Sequence, residues 1–206
     1  MALLALEPAL ARLPRAGIVH RLDKDTSGLL VVARNERARL HLIDELSHRR
    51  VSRTYLAIAM GRIEGKRSVQ APIGRDPRHR QQMAVVESGK PAQTDIEVLA
   101  RGLCEGQEFT VLRCRLRTGR THQIRVHLAS IGHPLLADSL YGGRRVAGLD
   151  RQALHAARLA FARPDGRGQA GPFAAALPQD LRQWLQGRGL DGDAMMAAPE
   201  EACDEG

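Results

Sequence analysis

The chain has 206 residues, 43% of them hydrophobic, and a formal net charge of +8. This length and composition suit one globular domain, or two small ones, and exclude a disordered chain. No run reaches the roughly 20 apolar residues that cross a bilayer, and the apolar segment Ala2–Leu6 lacks the basic start of a signal peptide. Three cysteines without CxxC spacing exclude a zinc ribbon and a disulfide scaffold. We therefore expect a cytoplasmic protein without a membrane segment.

The positive charge is unevenly distributed along the chain. Residues 191–206 contain six acidic residues and no lysine or arginine, so the preceding body is more basic than the whole chain. A body of this kind indicates a polyanionic partner, most often nucleic acid, although a solvated arginine-rich surface would have the same composition. Aromatic residues make up only 3% of the chain. A sheet that stacks several RNA bases needs more, so any base recognition is expected at one place.

The first half of the chain predicts one helix and two strands. Residues 1–15 are interrupted by prolines and predict an arm with at most a short helix. The apolar run Leu29–Ala33 predicts a buried strand, and Asn35 is a candidate N-cap for a helix that continues to about Arg50. The alternating segment Ser52–Met60 predicts a further strand.

The two faces of the strand Ser52–Met60 differ in composition. One face carries Leu56, Ile58 and Met60, and the other carries Arg53, Tyr55, Ala57 and Ala59. A tyrosine beside two alanines leaves open space next to its ring. On this pattern alone, a tyrosine packed in the core remains the more common explanation.

The second half predicts further strands and two helices. The strand candidates are Met83–Glu87, Gln93–Ala100, Glu108–Arg117 and Leu154–Phe161, and the helix candidates are Thr121–Ile131 and Pro178–Leu185. Alternation in the third strand would place Arg113, Arg115 and Arg117 on an outer face, either as a row of phosphate contacts or as a solvated edge. Arg125 lies at the edge of the apolar stripe of its helix, so it should be partly buried and need a carboxylate partner.

Strands outnumber helices, and few of them form βαβ units. The predicted fold class is therefore α+β, with a mixed, largely antiparallel sheet flanked by helices and loops. The predicted organisation is an arm over residues 1–15, one domain over residues 16–187, and a disordered acidic tail over residues 188–206.

Two polar clusters are candidates for chemistry. The first, HRLDKDTSG over residues 20–28, places Asp23 and Asp25 between two apolar runs. An acid near the core needs a cation or hydrogen-bond donors to stay ionised, although both residues could equally be turn acids. The second cluster, GRTHQIRVH over residues 119–127, could supply such a cation from Arg125.

Metal, hydrolase and cofactor sites receive little support from the sequence. His122 and His127 are five residues apart and diverge by about 140° on a helix, whereas the HExxH arrangement places its histidines on one face. Ser27 lacks the glycine pattern of a nucleophile elbow. No phosphate-binding or dinucleotide-binding loop is present, so we expect neither a metal nor a cofactor.

The segment HRLDKDTSGLLVVAR (residues 20–34) resembles the catalytic-aspartate motif of the RluA/RluD-type pseudouridine synthases. The resemblance continues in family order, from about residue 15 to residue 185, through the segments Ser52–Gly61, Pro72–Leu99, Leu116–Gly143 and Arg151–Phe161. Within the family, residues 15–28 and 75–94 are most similar to the D-type enzymes that modify large-subunit ribosomal RNA. The family's usual first motif, a strand with Lys-Pro, and the small RNA-binding module often found before it are absent. The arm is therefore expected to be what remains of a truncated start of the catalytic domain.

The resemblance implies a role for each matching residue. Asp23 would be the catalytic aspartate, Arg125 the arginine paired with it, and Tyr55 the residue that stacks on the target base and helps to remove its C5 proton. Arg21 would enter the RNA stack in place of the flipped uridine, and Ile124 would line the pocket. The remaining expected substrate-binding residues are His20, Thr26, Arg120, His122 and Gln123.

The implied function is isomerisation of specific uridines in large-subunit (23S) ribosomal RNA. The substrate would be an rRNA stem-loop, free or in the pre-ribosomal particle, and the enzyme would be a monomer. Asp23 could attack C1′ or take the 2′ proton, and the sequence does not choose between these routes. A non-catalytic RNA-binding remnant of such an enzyme is the alternative.

Overall fold

The computed structural model describes residues 2–198. Its α-helices are α1 (Ala2–Leu6), α2 (Glu36–Ser47), α3 (Gln123–Ser130), α4 (Gln179–Gln186) and α5 (Gly192–Ala197). Its strands are β1 (Ser27–Gly28), β2 (Ser52–Met60), β3 (Arg67–Gln70), β4 (Ile73–Arg75), β5 (Met83–Val85), β6 (Gln93–Cys104), β7 (Gln107–Leu116), β8 (Leu154–Ala162) and β9 (Gln169–Ala174). Within residues 2–198, no helix has the length and apolarity needed to cross a membrane.

The main sheet has seven strands, in the order β1-β8-β2-β7-β6-β3, with β9 also paired to β8. Among the strands of residues 2–198, only β1 pairs in parallel, with β8, and the other pairings of this sheet are antiparallel. Strands β4 and β5 form a separate hairpin. The predicted α+β class and largely antiparallel mixed sheet are confirmed.

Strand β2 has the predicted bounds and separates two parts of the core. Leu56 and Ile58 pack into a cluster that includes Trp184 of α4, whereas Tyr55 and Ala57 pack into a second cluster with α3. The two faces predicted from alternation are therefore both buried. This sandwiching of β2 between helices places Tyr55 on the face that looks toward α3.

The predicted strand Leu29–Ala33 is wrong in extent. Regular pairing covers only Ser27 and Gly28, and Val32 makes a single bridge to Ile18. The reason lies at Gly28, which has a φ of 108° and approaches β8 so closely that a Cβ there would be 2.2 Å from the Ala156 carbonyl oxygen. After one more hydrogen bond, from the Leu29 amide to the same oxygen, the chain leaves the sheet.

The predicted outward position of Arg113 is also wrong. Its side chain is buried, pairs with Glu97 at 2.7 Å and donates to the carbonyl oxygens of Met195 and Ala198. Strand β7 is covered on this face by the segment that contains α5, so the alternation does not separate solvent from core there. A continuous row of arginines available to phosphates is thus not formed on β7.

The prediction of a disordered tail is wrong for residues 191–197. Asp191 accepts a hydrogen bond from the Ala194 amide and caps α5, and Met196 is buried in the cluster beneath α4. The carboxylate of Asp193 holds the segment by accepting from the Leu177 amide and from Arg182. Residues 199–206, the rest of the predicted tail, lie outside the described residues.

The N-terminal arm forms α1 followed by two short 3-10 turns, Pro8–Arg12 and Pro14–Gly17. Leu10 is buried, and Glu7 pairs with Arg34 at 2.6 Å. The arm therefore lies against the segment that leads into α2. At the start of α2, the Asn35 side chain accepts from the Ala38 amide, as predicted for the N-cap.

Candidate active site

A cavity of about 450 Å³ lies where the loop before β1, strand β2 and the loop before α3 meet. Nine of the ten predicted site residues line it or its rim: His20, Arg21, Asp23, Thr26, Tyr55, Arg120, His122, Gln123 and Ile124. The tenth, Arg125, is not among the lining residues, and its side chain is only 7% exposed. The two polar clusters singled out in the sequence are thus brought together in one place.

The loop that carries Asp23 is fixed by strand β8 and the residues just before it. Gln152 donates to the Lys24 carbonyl oxygen at 2.6 Å and to the Thr26 hydroxyl at 3.1 Å. Arg151 donates to the Asp25 carbonyl oxygen, and the Ser27 hydroxyl lies 2.9 Å from His155 Nδ1. These contacts come from residues some 126 to 128 positions away in the chain, and they anchor the four residues that follow Asp23.

Arg125 lies between two carboxylates. Its Nε and Nη2 donate to the two oxygens of Asp138 at 2.7 and 2.8 Å, and its Nη1 is 3.7 Å from Asp23 Oδ2. Burial disfavours the charged guanidinium, but the bonds to Asp138 and the nearby carboxylates outweigh it, so the pKa of Arg125 is raised. The expected carboxylate near Arg125 is present, yet the closer partner is Asp138, which the sequence analysis did not identify.

Tyr55 is buried and also borders the cavity, so the two interpretations of this residue are compatible. Its side chain packs in the same cluster as Ile124 and Leu154. Burial raises the pKa of its hydroxyl to about 12. At neutral pH the ring is therefore an uncharged phenol, suited to stacking on a flat base.

His122 and Gln123 have distinct environments at the start of α3. His122 has a left-handed backbone with a φ of 56°, and its Nδ1 lies 2.7 Å from the Tyr141 hydroxyl, whose ring faces Arg125. The Gln123 amide is saturated internally: its oxygen accepts from the Thr118 hydroxyl and the Arg120 amide, and its nitrogen donates to the Gln93 carbonyl and the Thr94 hydroxyl. Gln123 therefore braces the turn that carries Arg120.

His127 points away from the cavity and bonds to Thr94 and the Ala71 carbonyl. It does not share a space with His122. Within residues 2–198, no three His, Cys, Asp or Glu side chains are grouped as metal ligands.

His20 is held as a neutral imidazole. Its Nε2 accepts a hydrogen bond from the Val31 amide at 3.0 Å, and its pKa is lowered to about 4, first by burial and second by the nearby Arg53. The nitrogen that accepts this bond cannot also carry a proton. His20 therefore positions the segment after β1 and adds no charge to the cavity at neutral pH.

Acidification should destabilise the fold through His20. The pKa of His20 in the folded protein, about 4, lies below the ordinary histidine value of 6.5. The unfolded chain therefore binds the proton more tightly, and this stabilisation is lost as pH falls from about 6.5 to 4. The loss should approach about 3 kcal/mol. Urea unfolding of the wild type and of His20→Gln at pH 7 and pH 4.5 measures it. A drop of the same size in both proteins would show that His20 is not the group responsible.

Comparison with known proteins agrees with this geometry. Residues 4–130 match a family model described as RNA pseudouridylate synthase. The chain is 50% identical over 193 residues to a ribosomal large subunit pseudouridine synthase D from Nitrosomonas europaea, covering 90% of this chain and 55% of the relative. It is 44% identical to the protein of the same name from Neisseria meningitidis serogroup B, covering 98% of this chain and 57% of the relative.

A solved structure of human RNA pseudouridylate synthase domain containing 1 shares 30% identity, with a TM-score of 0.65 and coverage of 90% of this chain and 82% of that one. The chain spans little more than half the length of the two bacterial relatives. The match nonetheless takes in both polar clusters that line the cavity. On these grounds the chain belongs to the RNA pseudouridylate synthase family.

Proposed function

We propose that the chain is an RNA pseudouridine synthase that isomerises specific uridines of large-subunit ribosomal RNA, with Asp23 as its catalytic carboxylate. The observation that carries the proposal is that Asp23 and Tyr55 border one cavity, with the Arg125 guanidinium 3.7 Å from Asp23. The names of the two bacterial relatives, both ribosomal large subunit pseudouridine synthases, support ribosomal RNA as the substrate.

The reaction needs a flipped nucleotide and an ionised carboxylate. A uridine inside folded RNA cannot reach a cavity, so it must leave its stack at a cost of a few kcal/mol. The N1–C1′ bond then breaks, the base rotates, and C5 bonds to C1′, with a proton lost from C5 and one gained at N1. Asp23 either attacks C1′ or takes the 2′ proton, and both routes require its negative charge.

The other residues retain the base and replace it in the RNA. The neutral Tyr55 ring and the apolar Ile124 side chain would hold the detached uracil and exclude water that could hydrolyse the intermediate. Tyr55 would also keep the role in removing the C5 proton that the resemblance implies. Arg21 is exposed at the cavity mouth, where it could fill the gap left by the flipped nucleotide.

We also propose that the protein acts as a monomer in the cytoplasm, on an rRNA stem-loop that is free or part of a pre-ribosomal particle. Support for the monomer is that one chain supplies Asp23, Tyr55 and Arg125 together. The reaction as written consumes no oxidant, reductant or group donor, so the proposal includes no cofactor.

The test is direct detection of product. The protein is incubated with transcribed 23S rRNA, and carbodiimide-dependent stops of reverse transcription are mapped. New stops at defined uridines are expected. Salt-sensitive RNA binding without any stop would instead identify a non-catalytic RNA-binding remnant.

A further inference from the structure

Arg53 is a buried cation in the cavity wall, and residues 2–198 provide it with no hydrogen-bond acceptor or ion-pair partner. It precedes Tyr55 by two residues on β2 and shares its face, and only 7% of the residue is exposed. Within residues 2–198, its Nε is buried without a hydrogen-bond partner, and no carboxylate contributes to its electrostatic environment. An uncompensated buried charge is expensive, so its environment in the free protein is incomplete.

The contact between Arg53 and Gly119 gives a second, independent indication. A Cβ on Gly119 would lie 2.6 Å from Arg53 Nη1, whereas the φ of Gly119 lies outside the left-handed range that favours glycine. The backbone itself therefore does not require glycine at this position. Because Gly119 has no side chain, the Arg53 guanidinium has room beside the turn that carries Arg120.

The other charged residues that line the cavity also favour an anionic ligand. Its lining includes four further arginines and one carboxylate, Asp23, whose nearest cation is Arg125 at 3.7 Å. A neutral uracil carbonyl would leave the Arg53 charge uncompensated. A phosphate offers a full negative charge and two oxygens matched to the guanidinium fork.

We propose that Arg53 is the subsite for the phosphate group attached to the target nucleotide. The inference rests on the proposed function and extends it, because it assigns the sugar–phosphate part of the substrate to a residue for which the family resemblance implied no role. Holding that phosphate would fix C1′ of the sugar beside Asp23 while Tyr55 covers the base.

The test uses ligands that differ only in the phosphate. Binding of uridine, uridine 5′-monophosphate and uridine 3′-monophosphate is measured by NMR titration for wild type, Arg53→Gln and Arg167→Gln, the last an exposed arginine on the β8–β9 turn. We expect the wild type to bind one nucleotide at least about tenfold more tightly than uridine. The preference should disappear in Arg53→Gln and persist in Arg167→Gln. A preference that survives in Arg53→Gln, an equal loss for all three ligands, or no preference in the wild type would overturn the proposal.

Two further measurements separate a binding role from a structural one. Because the charge is unpaired, Arg53→Gln should not lower the melting temperature, whereas loss of a structural arginine would. Gly119→Ala should displace the guanidinium and reduce the nucleotide preference although Arg53 is still present. A lowered melting temperature in Arg53→Gln, or an unchanged preference in Gly119→Ala, would count against the subsite. If the preference depends on Arg53 but no pseudouridine forms in rRNA, the proposed function fails and the subsite stands.

Discussion

Asp23→Asn will abolish pseudouridine formation while leaving the fold intact. The amide keeps the size of the carboxylate but loses the charge needed to attack C1′ or to take the 2′ proton. Removing such a group typically costs more than about 10³-fold in rate. The fold should tolerate the change because Arg125 keeps its two hydrogen bonds to Asp138. Single-turnover release of tritium from RNA labelled at uridine C5 measures the chemistry, and a melting curve measures the fold.

Asp25→Asn is the matched control for this prediction. Asp25 lies two residues further along the same loop, is exposed, and does not line the cavity. Its φ of 68° is left-handed, a conformation that asparagine also tolerates, so the substitution preserves the backbone. Rates should stay within about threefold of the wild type, since the change touches no group with a chemical role. Substantial tritium release by Asp23→Asn, or equal losses in both variants, would refute the assignment of Asp23.

Asp138→Asn will destabilise the protein by about 3 kcal/mol, at the lower end of the usual cost of breaking a buried ion pair. The substitution removes the charge that holds both Nε and Nη2 of Arg125, and Asp23, 3.7 Å from Nη1, replaces it only partly. The guanidinium should then turn toward Asp23 and pair with it directly, which would weaken that carboxylate as a nucleophile or base and slow the reaction. Urea unfolding measures the first effect, and the tritium-release rate measures the second.

The comparison for Asp138 is Asp180→Asn. Asp180 also accepts two hydrogen bonds from one arginine, Arg151, at 2.8 and 3.0 Å, but both side chains are partly exposed. Such a pair contributes at most about 1 kcal/mol. If the two variants lost the same stability, burial would not explain the importance of Asp138.

The sequence alone predicted those parts of the fold in which a local residue pattern has a single structural interpretation. The alternation in β2 determined its bounds and both of its faces, and Asn35 caps α2 as its position suggested. The edge strands β3 and β9 were missed because they are short and mostly exposed, so they lack an apolar pattern. Arg113 was misplaced because nothing within β7 shows that α5, some eighty residues later, covers it.

The candidate site divides in the same way. A buried acid needs a cation nearby, and a buried cation needs an acid. This requirement predicted that residues 20–28 and residues 119–127 lie close together, as they do in the structure. Which carboxylate lies closest to Arg125 depends on the loop after α3, and Asp138 carries no local signal of that contact. The composition of segment 135–143 could have suggested this contact. Asp138 and Tyr141 stand there among residues that are otherwise small or apolar. Arg53 was placed on the correct face of β2, but its lack of a partner is visible only in three dimensions.

The attachment of the Asp23 loop to β8 has a consequence for biosynthesis. Ser27 pairs with His155 in the sheet, and Gln152 donates a hydrogen bond to the Lys24 carbonyl oxygen of the loop. While the polypeptide is emerging from the translating ribosome, the first hundred and fifty residues lack the segment that orders this loop. Competence for chemistry is therefore acquired late, only after residues 151–156 have emerged and closed contacts that span 126 to 128 positions of the chain.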